Sequence, residues 1–101
     1  MAKKKIIALS PQRAAILDRL RDDETVIFFE PSTLDVAIVG ISEAQCNRAP
    51  CVIYDYQKLL AVFMEDMSEE DAEEWIAFNV LDGWLGEATP IVIDTLQLDL
   101  H

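Results

Sequence analysis

Beyond position 58 the chain contains no lysine and no arginine. Its one histidine is the final residue, His101, and it has three glycines and two cysteines. Each scarcity removes a class of chemistry. A lone terminal histidine supplies no Ser-His-Asp or Cys-His set, because such a site needs an imidazole held in place to take and return a proton. Three scattered glycines do not make a phosphate-cradling loop. Cys46 and Cys51, with His101, fall short of the four ligands of a structural zinc site. Apolar runs are short too. Val36 to Ile41, broken by Gly40, is far from the ~20 residues of a membrane span. The run Ile6 to Leu9, behind Lys3, Lys4 and Lys5, is too short for a secretory signal of about 7–15 apolar residues. These absences predict a cytoplasmic protein that has no targeting segment, no membrane, cofactor or metal, and is not an enzyme. Both thiols are then expected to be reduced.

What is present is a core and a lopsided charge. The 101 residues are 51% apolar, enough for one domain over 1–101 and too many for a disordered acidic tail. The net charge is −11, yet residues 1–58 hold every Lys and Arg together with an equal number of acids. The whole excess therefore belongs to residues 59–101. It is densest from Glu65 to Glu74. That half should repel nucleic acid and attract basic surfaces, so direct nucleic-acid binding is not expected.

Local signals order the chain. Ser10-Pro11 starts a helix to about Arg21, with Ala14, Ile16, Leu17 and Leu20 at helical spacing. Thr25 to Phe29 is β-branched and aromatic and reads as a buried strand. Asp35 to Ser42 reads as a second strand, pairing with the first as a hairpin. Cys51 to Tyr54 is a third. Asp55 caps a helix with Leu59, Leu60, Val62 and Phe63 as its apolar stripe. Ser68-Glu69-Glu70-Asp71 is a near capping box, and its acids suit the positive end of the helix that follows. There, Ala72, Trp75, Ile76, Asn79 and Val80 share one face, and Glu69, Glu70, Glu73 and Glu74 the other. Gly83 and Gly86 bracket a bend, and Ile91 to Asp94 is a last strand. The predicted class is α+β: a small, mainly antiparallel sheet, with an N-terminal helix and a helical hairpin from the second half packed on it.

Residues 52–94 also carry a pattern. It consists of Tyr54-Asp55-Tyr56, the stretch Met67 to Ala72, the stretch Glu74 to Asn79, and Gly86-Glu87 followed by Thr89-Pro90-Ile91. It resembles a group of small, largely uncharacterised phage and prophage proteins. The stretch Asn79 to Gly86 departs from that group's usual glycine spacing. The resemblance carries over no site residues. It implies a phage or mobile-element setting, in which small acidic proteins often disable host machinery.

The acidic helix has the most functional content. Carboxylates one turn apart lie ~5–6 Å from each other along the axis, close to the phosphate spacing of a nucleic-acid strand. Such a face could occupy a basic groove on a host protein. Its bland alternative is a solvated surface, but solvated helices usually mix both signs in i,i+4 pairs. The consecutive acids lack the glycine of a calcium loop. Glu69, Glu70, Asp71, Glu73 and Glu74 are therefore the candidate partner-binding residues. Trp84, between two glycines, is the candidate apolar anchor. Trp75 with Phe78 could join Trp84 in a partner-binding aromatic patch, but helical spacing reads Trp75 as core. Asn79, on the apolar side, reads as a residue that caps a backbone group or hydrogen-bonds within the core. The expected function is non-enzymatic binding that inhibits or modulates a host protein with a basic surface. Self-association as a homo-oligomer through a sheet edge or through Leu96, Leu98 and Leu100 is the alternative.

Overall fold

The computed structural model describes residues 10–43, 49–81, 83 and 86–95. Helix α1 spans Pro11–Arg19. The Ser10 hydroxyl accepts from the Arg13 backbone N–H at 3.1 Å, and Pro11 occupies the first turn, where no intrahelical donor is needed. One face of α1 buries Ile16.

The chain next runs through Thr25–Phe29 without entering the sheet. The strand expected there is absent for an identifiable reason. Val26, Phe28 and Phe29 do pack against the core, but the Phe29 N–H is donated to the Tyr54 hydroxyl at 2.9 Å instead of to a neighbouring strand. Burial was legible in those residues; pairing was not. The predicted second strand is also shortened. Ser32–Ala37 forms a 3-10 helix, and strand β1 begins only at Ile38, running Ile38–Ser42.

Strand β1 pairs antiparallel with β2, Cys51–Asp55, so the expected hairpin partner is replaced by the next segment of chain. The ladder matches Ile41 to Val52 and Ser42 to Cys51, and its register shifts between Ile38 and Gly40. Strand β2 is central and buries residues on both faces. On its other side β3, Ile91–Ile93, runs parallel to it, with Tyr54 opposite Val92. The sheet is thus mixed, in the order β1-β2-β3, within an α+β fold. The parallel ladder follows from the connection: a parallel neighbour needs a long crossover, and here that crossover contains the helices of the second half.

Helix α2, Tyr56–Phe63, starts directly from β2. One carboxylate oxygen of Asp55 caps it by accepting from the Lys58 N–H at 3.0 Å, and the other accepts from the Thr95 hydroxyl at 3.0 Å. Asp55 is buried, so this double use satisfies a group that would otherwise be costly there. A turn at 64–66 leads to Ser68, whose hydroxyl accepts from the Asp71 N–H and starts α3, Glu69–Ile76. The helix then widens into a π-helical segment, Ala77–Leu81. Gly86 has φ +106°, a left-handed conformation that favours glycine, and it turns the chain toward Pro90 and β3.

The core draws Ile16 from α1, Leu34 from the 3-10 turn, Val52 and Tyr54 from β2, Leu59 from α2 and Ile76 from α3. Cys51 is a buried free thiol; Cys46 lies outside the described residues. No helix among the described residues is long and apolar enough to cross a membrane.

Candidate binding surface

Helix α3 sorts its side chains by a four-residue period. Ala72, Ile76 and Val80 form the buried stripe. Glu69, Glu70, Asp71, Glu73 and Glu74, the acids singled out from the sequence, are all exposed. Glu69, Glu70 and Asp71 occupy the first turn, where the helix dipole stabilises them. The ion pairs among the described residues join Arg13 to Glu30 and Asp35, and Arg19 to Glu43. None of them involves an α3 carboxylate. The face is therefore solvated anionic surface, without the i,i+4 partners that usually balance such a helix.

The acids divide into two flanks. On one, Glu69 and Glu73 influence Tyr56 at the start of α2. Burial of its phenol, then the charges of Glu73, Asp94 and Glu69, raise its pKa above the ordinary tyrosine value. On the other, Asp71 and Glu74 lie beside exposed aromatics.

Those aromatics correct the sequence reading. Trp75 was expected in the core, but it is 48% exposed, and Phe78 is 68% exposed. The Ala72–Ile76–Val80 stripe fills the inner face by itself, and Trp75 falls to its flank. There its ring lies 6.5 Å from that of Phe63. Asn79, expected on the apolar side, is exposed as well, and its Nδ2 donates to the Trp75 carbonyl at 3.1 Å, the first of the two roles expected for it. Trp84, the predicted anchor, lies outside the described residues, as do Leu96, Leu98 and Leu100. Met67, Asp71, Glu74, Trp75, Phe78 and Asn79 line an open depression of about 360 Å³. The surrounding π-helical turn is itself a deviation often found at functional positions. The sequence offers Trp75 with Phe78 as an aromatic patch, but spacing favours Trp75 as core until the competing Ala72–Ile76–Val80 stripe is known.

A second cluster joins α1 to the 3-10 helix. Asp35, in the 3-10 turn, is 1% exposed. It accepts from the Ser10 hydroxyl at 2.7 Å and from Arg13 through Nε at 3.1 Å and Nη2 at 2.9 Å. The guanidinium also lies 4.2 Å over the Phe28 ring. Burial works against the Arg13 charge, but the Asp35 hydrogen bond and the charges of Asp35 and Glu30 outweigh it and raise its pKa. Both carboxylate oxygens of Asp35 are engaged within the chain, so the arrangement is structural. It ties α1 to the turn before β1. Among the described residues no three His, Cys, Asp or Glu side chains come together in a group able to hold a metal ion.

Tyr54 is packed against this cluster, with no exposed surface. Burial is the largest cause that pushes its phenol up to about 12, with the nearby Asp35 and Glu30 charges adding to it against the Phe29 N–H and Arg13. The protein has two tyrosines and both are raised, so the folded chain should show less phenolate absorbance at about pH 10 than the unfolded chain, whose tyrosines are half ionised there. The sign follows from linkage. A folded pKa above the unfolded one stabilises fully below about pH 10, and that stabilisation is lost as pH rises through about 12. A spectrophotometric titration with and without denaturant checks this. Normal titration of both phenols in the folded chain would contradict the burial of Tyr54.

No protein family, curated protein or solved structure matches the chain.

Proposed function

We propose that this chain is a non-enzymatic binding protein that engages a basic surface of a host protein through α3 and thereby inhibits or modulates it. The observation that carries the reading is the unpaired anionic face of α3, continuous with the exposed rings of Trp75 and Phe78. Charge without apolar contact gives encounter but little residence, and buried aromatic anchors supply the latter. Here the two lie on one helix. The likeness of residues 52–94 to small phage and prophage proteins supports a host-directed role in the cytoplasm of an infected cell. The carboxylate spacing supports a target whose groove ordinarily receives nucleic acid.

The test is capture from host lysate on immobilised protein at about 50 mM and about 500 mM salt, with the retained proteins identified by mass spectrometry. A nucleic-acid-binding protein held at low salt and released at high salt is the expected result. Retention of the chain itself alone, or retention insensitive to salt, would remove the reading.

A further inference from the structure

The geometry points to the depression on α3 as a pocket for an arginine side chain of the partner, an inference that rests on the basic-partner reading and narrows it. Its lining selects the occupant. Asp71 and Glu74 contribute carboxylates, which only accept hydrogen bonds. One of the two Asn79 Nδ2 hydrogens is engaged by the Trp75 carbonyl, so the carboxamide oxygen and the second hydrogen are left to a ligand. Against the two neutral donors, the Trp75 indole N–H and the second Asn79 N–H, stand two anionic groups that only accept, so the net charge of the lining is negative. The rest is the Trp75 and Phe78 rings and the Met67 thioether.

A group that suits this lining is cationic, rich in donors, without acceptors, and flat enough to lie on a ring. Guanidinium meets all four conditions: a permanent charge, five donors in a planar fork, no acceptor and a stacking face. Its aliphatic stem would cover Met67 and the ring edges. The ammonium of lysine shares the charge but neither the fork nor the stacking. The space, about 360 Å³, is ample for one such side chain. The positive charge of the occupant follows from complementarity, since residues 59–101 contain no Lys or Arg to compete for the same carboxylates.

Calorimetric titration of the full chain with hexa-arginine and hexa-lysine peptides, in about 50 mM salt, tests the pocket. Hexa-arginine should bind about fivefold tighter than hexa-lysine. In Phe78→Ala the hexa-arginine affinity should fall to that of hexa-lysine, so that the preference vanishes. Phe78 is 68% exposed, so its removal leaves the core untouched, and circular dichroism verifies the fold. Equal affinity for the two peptides, or a preference that survives in Phe78→Ala, overturns the pocket and leaves the basic-partner reading in place. Failure of both peptides to bind overturns the two together.

Discussion

Replacing Arg13 with alanine should cost the fold about 3–5 kcal/mol, a large part of the about 5–15 kcal/mol that holds a typical domain. The reason is the asymmetry of the pair. Asp35 is 1% exposed and Arg13 16%. Removing the guanidinium takes both of its bonds to Asp35 and leaves a buried carboxylate with the Ser10 hydroxyl alone. It also uncovers the Phe28 ring and unties α1 from the 3-10 turn. Asp35→Ala should cost less, about 1–3 kcal/mol, because the partner left behind can still reach water and Glu30. Denaturant unfolding of both single variants and the double variant gives the ranking and the coupling. If Asp35→Ala is as damaging as Arg13→Ala, the burial argument is wrong.

The same pair explains why part of the fold could not be read from the chain. Caps were legible because they are local. Ser10, Asp55 and Ser68 each accept from an N–H three residues on, and each sits where the sequence places a helix start. Strand β2 was legible because Cys51–Tyr54 is an apolar run with a helix cap behind it. Asp35–Ser42 was only half legible. Nothing within a few residues of Asp35 announces that Arg13, 22 positions earlier, will take its carboxylate and bend Ser32–Ala37 into a 3-10 turn. Thr25–Phe29 failed for a related reason: its residues specify burial, but the partner of the Phe29 N–H is a side chain on β2. The binding surface divides in the same way. The five acids follow from composition and local helix chemistry. The exposure of Trp75 and Phe78 depends on which stripe wins the inner face, and that is decided by α2 and the sheet, not by α3.

Reversing Glu70, Glu73 and Glu74 to lysine should weaken capture of the basic partner at least ~100-fold, about 2.7 kcal/mol, with the fold intact. Each reversal adds two units, taking the net charge from −11 to −5. The effect on binding is larger than the change in net charge suggests, because the three positions lie on one exposed face and would meet the partner's cations directly. Stability should barely move. Lysine at Glu70 opposes the dipole in the first turn and costs about 0.3–1 kcal/mol, whereas positions 73 and 74 lie inside the helix that continues through Ala77–Leu81, where the dipole has little effect. Thermal unfolding separates the two quantities. The Phe63–Trp75 contact gives a local control, since the tryptophan emission should be preserved if α3 keeps its place against α2. A triple variant that melts like the parent and still captures the partner with undiminished affinity would show that the carboxylates of α3 serve solvation alone. Retained affinity in that variant, lost only in Phe78→Ala, would shift the whole interaction to the aromatic depression and make the charge around it incidental.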